Sequence, residues 1–112
     1  MDISELSLFA SDDLTAKTVT LYDNGDPVEG VVYIRILPST DIDRFALESK
    51  DASMDIRVQS VPRLLSKAVR KADGKAHFSV EKAGNLTNAN RTALLKAVSE
   101  VNKVPDEDEL GN

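Results

Sequence analysis

Two segments of alternating apolar and polar residues lie on either side of a turn-forming segment near the N-terminus, and they constrain the fold most. Residues 17–22 and residues 31–37 are rich in β-branched side chains, and alternation with period two places the apolar ones on one face of a strand. Residues 23–30 contain Asn-Gly, Asp-Pro and a second glycine, which favour chain reversal. The pattern predicts an N-terminal β-hairpin with strands at 17–22 and 31–37.

Apolar residues in the second half of the chain recur at three- and four-residue spacing instead, which predicts two main helices. The first helix is expected to begin at Pro62 as its first helical residue and to end before Asp73-Gly74. The last helix is expected to begin at a cap formed by Thr87 or Asn88 and to end near Asn102. Its apolar stripe consists of Leu94, Leu95, Val98 and Val101.

Three shorter segments complete the secondary-structure prediction. A short helix is expected from a cap at residues 39–41 to about Lys50, because Pro38 ends the preceding strand. Residues 54–59 alternate strictly, which favours a strand, although the segment could instead continue into the next helix. Residues 77–80 are expected to be extended.

These elements predict an α+β protein in which the N-terminal β-hairpin is followed by a mainly α-helical small domain. With 112 residues, the chain suits one core. We expect an N-terminal arm at residues 1–15, a single globular domain at 16–103 and an acidic flexible tail at 104–112. The net charge is −5, and the tail supplies four of the negative charges, at Asp106, Glu107, Asp108 and Glu109.

The residues that usually carry chemistry are missing or isolated. The chain has no cysteine, and its one histidine, His77, has no neighbour at metal-ligand spacing. The five glycines are too far apart for a phosphate-binding loop, and the paired carboxylates are explained by helix capping. We therefore predict no catalytic residue, metal or cofactor, and a protein that acts by binding other proteins.

The charge and hydropathy patterns also restrict the partners and the compartment. An acidic chain competes poorly with the counterions of nucleic acids, so no nucleic acid is expected as a partner. No segment approaches the ~20 apolar residues that span a bilayer, and the N-terminus lacks the pattern of a signal peptide. We expect a protein of the cytoplasm without membrane contact.

Two groups of residues are candidates for protein binding. The stripe of Leu94, Leu95, Val98 and Val101 is either core or shared with a partner, because the two kinds of apolar face look alike in a sequence. A basic edge on the Pro62 helix is formed by Arg63, Lys67 and Arg70, together with Lys71. This edge could contact an acidic protein, the acidic tail of a second copy or phosphates, or could simply be solvated.

Arranged in this way, the chain resembles the tail assembly chaperones of long-tailed bacteriophages. The likeness covers residues 19–102 and is carried by three stretches: residues 32–39 (Val-Tyr-Ile-Arg-Ile-Leu-Pro-Ser), residues 61–65 (Val-Pro-Arg-Leu-Leu) and the apolar spacing from Asn90-Arg91 to Val101-Asn102. The resemblance implies a non-enzymatic protein of the host cytoplasm that self-associates and binds the phage tape-measure protein, with the tail tube protein as a further candidate partner.

Two other functions are compatible with the residues alone. A structural head-tail connector or tail subunit could use the hairpin to extend a neighbour's sheet. A small regulatory domain could bind nucleic acid through the basic edge.

Overall fold

Two ten-residue strands, β1 (Leu14–Asp23) and β2 (Asp26–Arg35), form the hairpin in the computed structural model, which describes residues 2–103. They pair without interruption from Leu14 opposite Arg35 to Asp23 opposite Asp26. Asn24 and Gly25 alone make the turn, with φ of 51° and 89°, as a type I′ turn requires, and this turn matches the twist of the flanking strands. The hairpin is thus confirmed, with longer strands and a shorter turn than predicted.

Pro27 lies inside β2, although proline cannot donate a ladder hydrogen bond. It is opposite Tyr22, next to the hydrogen-bonded pair that closes the turn, so its nitrogen points away from β1. On that side, within residues 2–103, β2 is paired only at Tyr33 and Ile34, with the short strand β3 (Val69–Arg70). Proline is therefore accommodated without loss of a hydrogen bond.

The helices are α1 (Ser39–Ser49), α2 (Met54–Ala68), α3 (Val80–Gly84) and α4 (Asn88–Asn102). Ser79 caps α3, and Thr87 caps α4 as predicted, each accepting a hydrogen bond from a backbone N–H three residues on. Together with the three-stranded antiparallel sheet, in the order β1-β2-β3, they confirm the α+β class.

The strand favoured at residues 54–59 is wrong, and the alternative, continuation into the next helix, is confirmed, because these residues form the first half of α2. Met54 and Val58 belong to an apolar stripe at helical spacing that continues through Val61, Leu65 and Ala68. Pro62 consequently lies in the interior of α2 and not at its start. It is buried beside Gly84 of α3, where a methyl group on Gly84 would lie 3.9 Å from Pro62 Cγ.

The predicted continuation of the Pro62 helix to Ala72 is also wrong, because the chain leaves the helix at Val69. Val69 has extended dihedral angles and pairs with Ile34 of β2, and both side chains are fully buried. The Val69 carbonyl then accepts a hydrogen bond from His77 N–H at 3.1 Å. Val69 and Arg70 therefore belong to the sheet and not to the helix, because their backbones pair with β2. The expectation of an extended segment at 77–80 fails at Val80, which begins α3.

The core lies between the inner face of the sheet and the helices. Leu65, Ala68 and Val69 are fully buried, as are Ile34 of β2 and Val98 of α4. The remaining buried apolar residues are Val32, Leu37, Phe45, Val61, Leu64, Ala83, Leu94, Leu95 and Ala97. The N-terminal arm, residues 2–13, precedes β1 and includes a 3-10 helix at Ile3–Glu5. The predicted acidic tail at 104–112 lies outside the described residues.

Candidate protein-binding surface

The apolar stripe of α4 lies in the core of the folded monomer. Leu94, Leu95 and Val98 are 2%, 3% and 0% exposed, and Val101 is half-buried against the same cluster. They pack beneath the hairpin, since α4 contacts both β1 and β2. A partner could not reach the buried three without opening the fold.

The basic edge of α2 is paired with carboxylates of α1. Arg63 forms an ion pair with Glu48 at 3.1 Å, and Lys67 forms one with Asp41 at 3.2 Å. The Nε of Arg70 donates to the Lys67 carbonyl at 2.9 Å. These part-exposed pairs contribute at most about 1 kcal/mol each, and they leave less uncompensated positive charge for a phosphate or an acidic partner.

The N-terminal arm carries four exposed large apolar side chains. Ile3, Leu6, Leu8 and Phe9 are 69%, 43%, 58% and 91% exposed. The arm is held to β2 by a loose ion pair of 3.9 Å between Asp12 and Arg35. Neighbouring apolar side chains left in water are a feature of surfaces that other molecules cover.

An open groove of about 730 Å³ separates this arm from the segment that joins β2 to α1. We call it the arm groove. Leu8 and Phe9 lie on one side of it, and Ile36 and Ile42 lie on the other. Its remaining lining residues are Ser7, Ala10, Leu37, Pro38, Ser39, Asp43 and Asn102. The mixture of exposed apolar walls and a few polar groups suits an apolar face of another protein.

Asn102, the last residue of α4, holds the base of this groove. Its Oδ1 accepts a hydrogen bond from Leu37 N–H at 2.7 Å, and its Nδ2 donates to the carbonyls of Arg35 and Val98, each at 3.1 Å. The chain leaving β2 is thereby joined to the C-terminal end of α4. The position of Ile36 at the groove wall depends on this attachment.

Asn90, in the first turn of α4, makes a matching contact at the other end of the hairpin. Its Oδ1 accepts from Tyr22 N–H at 2.7 Å, and its Nδ2 donates to the Tyr22 carbonyl at 3.0 Å. Two asparagine amides therefore attach opposite ends of one helix to the backbone of the hairpin. The sequence pattern shows neither contact, because both join residues more than sixty positions apart.

Comparison with known proteins supplies the family. A family model described as phage tail assembly chaperone matches residues 2–102. The chain belongs to the phage tail assembly chaperones. The resemblance found in the sequence is confirmed, and the match includes the arm. No curated protein and no solved structure matched the chaperone.

The family indicates a non-enzymatic role for the chaperone. Within residues 2–103, no group of three or more histidine or acidic side chains is placed to hold a metal ion. None of the helices in that range is both long and apolar enough to cross a bilayer.

Two further exposed features of the chaperone lie away from the arm groove. Leu47 near the end of α1 and Met54 and Val58 at the start of α2 are 75%, 66% and 62% exposed, and we call them the helix-tip patch. A smaller groove of about 310 Å³ lies between residues 17–20 of β1 and α4. There Lys17 forms an ion pair with Glu100 at 2.9 Å, and its hydrogen bond and charge lower the pKa of the Glu100 carboxyl.

Sequence reasoning about the chaperone did not find the arm as a candidate surface. Leu6, Leu8 and Phe9 show no helical period, and a single sequence does not reveal whether such residues are covered by the rest of the chain. The signal that was available is the presence of four large apolar residues in an arm that precedes the first strand. Their exposure became visible only with the fold.

Proposed function

We propose that the chaperone binds the tape-measure protein during tail assembly and that the arm groove receives an apolar face of this elongated helical partner. The observation that carries the proposal is the exposure of Leu8 and Phe9 beside Ile36, which is itself 47% exposed. Covering these three side chains removes apolar surface from water, which is the main driving force for protein association. The proposed site of action is the host cytoplasm.

The binding mechanism we propose is reversible masking. Several copies of the chaperone cover the apolar surface of the tape-measure protein and associate with one another until the tail tube protein displaces them. A groove of this size gives a modest contact per copy, and repetition along the partner supplies the overall affinity. Weak individual contacts also allow later displacement.

The residues predicted for protein binding act indirectly in this proposal. Leu94, Leu95 and Val98 hold α4 in the core, so that Asn102 can fix the base of the groove. Arg63 and Lys67 hold α1 beside α2, and the first turn of α1 supplies Ile42 to the groove wall. Arg70 contributes to the same region through its bond to Lys67.

Co-expression with the tape-measure protein of the same phage tests the proposal. We expect the unaltered chaperone to increase the soluble fraction of the tape-measure protein and to co-purify with it. The double change Leu8→Ser and Phe9→Ser should remove both effects, while urea unfolding stays within about 0.5 kcal/mol because both side chains are exposed.

The matched control is Val58→Ser in the helix-tip patch. It also removes an exposed apolar side chain, but Val58 lies toward the opposite end of the α1–α2 pair from Ile42 and should leave capture of the tape-measure protein unchanged. Equal loss with the control and with the arm variant would refute the assignment to the arm groove. A tape-measure protein whose solubility is indifferent to the chaperone would refute the function itself.

A further inference from the structure

The outer edge of β1 lies at the border of the sheet, and no other strand within residues 2–103 pairs with it. In an antiparallel hairpin closed by a two-residue turn, hydrogen-bonded pairs alternate with non-bonded pairs from the turn onward. Since Asp23 and Asp26 close the turn, the N–H and C=O groups of Tyr22, Thr20, Thr18 and Ala16 point away from β2. The bonds from Tyr22 to Asn90 confirm this direction.

This edge lacks most features by which natural proteins prevent edge-to-edge pairing. Protected edges are short, bulged, interrupted by proline or lined with charge. β1 is ten residues long, pairs with β2 without a bulge and contains no proline. Its one charged side chain between residues 15 and 22 is Lys17, and the ammonium of Lys17 is already paired with Glu100.

We propose that the β1 edge pairs with the β1 edge of a second copy of the chaperone, in antiparallel orientation about a two-fold axis at Thr18. Thr18 then faces Thr18 of the second copy, and Ala16 faces Thr20. The two three-stranded sheets join into one six-stranded sheet with β1 strands at its centre. This inference rests on the self-association in the proposed function and names the surface that carries it.

Two observations favour a second copy and this register. Asn90 occupies the edge groups of Tyr22, so the ladder is confined to residues 16–20, in which Thr18 is central. Centring on Thr18 also places Lys17 opposite Val19 of the second copy, so that like charges do not face one another. The side chains on the solvent-exposed face of this ladder are then only alanine and threonine, which are small and uncharged and so can pack closely.

An open groove lies beside the edge. The 310 Å³ groove is lined by residues 17–20 on one side and by α4 on the other, where Ala93 and Ala97 present small side chains. In the two-fold arrangement both α4 helices lie on the same face of the joined sheet, and Lys96 and Glu100 line each groove. Lys96 of one copy then comes into the neighbourhood of Glu100 of the other, with complementary charge.

Charge variants at Thr18 test both the surface and its register. Sedimentation velocity from ~10 µM to ~1 mM should show a concentration-dependent dimer for the unaltered chaperone, because a short ladder gives weak association. Thr18→Lys and Thr18→Glu should each weaken dimerisation at least ~10-fold, since like charges meet at the axis. An equimolar mixture of the two variants should dimerise again. Circular dichroism checks that each variant is folded.

Single cysteines give an independent readout, because the natural chain has none. Residues directly opposite each other lie about 5.5 Å apart between Cα atoms, which is within disulfide range. Under mild oxidation Thr18→Cys should cross-link faster than Ala16→Cys or Thr20→Cys, with Thr40→Cys on α1 as the collisional control.

A monomer at every concentration, or a dimer that Thr18→Lys leaves unchanged, would overturn the inference. So would cross-linking at residue 40 as fast as at residue 18. Capture of the tape-measure protein by Thr18→Lys reports separately on the arm groove. Loss of the dimer with retained capture therefore supports edge pairing and leaves the proposed binding site standing.

Discussion

Replacing Asn102 by alanine tests how much of the fold depends on one buried amide contact. The change removes the acceptor for Leu37 N–H and the donor to the Arg35 carbonyl, both in a part-buried position. Each lost bond costs about 1 kcal/mol, and the stranded groups add to this because water reaches them poorly. The better helix propensity of alanine offsets roughly 0.5 kcal/mol of this loss of stability. We expect a net loss of about 2 kcal/mol.

Asn90→Ala is the matched control, since it removes the same pair of contacts from the same helix. The Tyr22 groups are exposed, so water replaces the amide and the loss should stay below about 1 kcal/mol. Urea unfolding followed by circular dichroism measures the stability of both variants. The comparison is valid if the dependence of the unfolding free energy on urea concentration, the m-value, is unchanged. On heating, the Asn102 variant should unfold roughly 10 °C earlier than the unaltered protein.

Asn102→Asp keeps the side-chain hydrogen-bond acceptor and removes the donor, so it tests the two roles separately. The carboxylate still accepts from Leu37 N–H but faces the carbonyl oxygens of Arg35 and Val98. This repulsion raises the pKa of the introduced carboxyl in the folded state, so the variant should gain stability relative to the unaltered protein as the pH falls and the proton returns. Equal losses for Asn90→Ala and Asn102→Ala, or an Asn102→Asp variant as stable as the unaltered protein at pH 7, would refute the reasoning.

Three other changes have definite expected outcomes. Gly25→Ala should lower the free energy of unfolding in urea by about 1 kcal/mol, because φ at Gly25 is +89°. Gly84→Ala in α3 should be neutral or stabilising, since the added methyl group would lie at an ordinary contact distance from Pro62. A larger loss for Gly84→Ala than for Gly25→Ala would contradict the turn geometry. Leu65→Ala should cost about 3 kcal/mol by the same assay, because the side chain is fully buried, and a loss below 1 kcal/mol would mean that it is not. Glu100 should titrate below its ordinary pKa of 4.5 in a carbon-detected NMR titration, and Lys17→Met should raise its pKa toward that value. Because the folded-state pKa of Glu100 is lowered, the stability from this pair is present above the unfolded-state pKa and is lost as the pH falls through the folded-state pKa. A stability difference between the unaltered protein and Lys17→Met that grows on acidification would contradict this.

The sequence by itself determined the elements whose signals are local. Asn24-Gly25 between two alternating segments specifies a hairpin, because few other residue pairs adopt positive φ twice in succession. Thr87 and the apolar spacing after it specify α4 for the same kind of local reason. The α+β class and the family likeness followed from these elements, since both depend on the order of patterns along the chain.

Only the tertiary structure decided the elements whose local patterns allow two outcomes. Met54 and Val58 satisfy both a strand period and a helical one. The helix is favoured because the same stripe continues through Val61 and Leu65, which are buried along one face of α2. Val69 lies in the sheet and not in the helix because its backbone pairs with Ile34 of β2. Leu94, Leu95 and Val98 became core while Leu8 and Phe9 stayed exposed, because burial is decided by which surfaces the hairpin and the helices cover when they pack, and a single sequence does not contain that geometry explicitly.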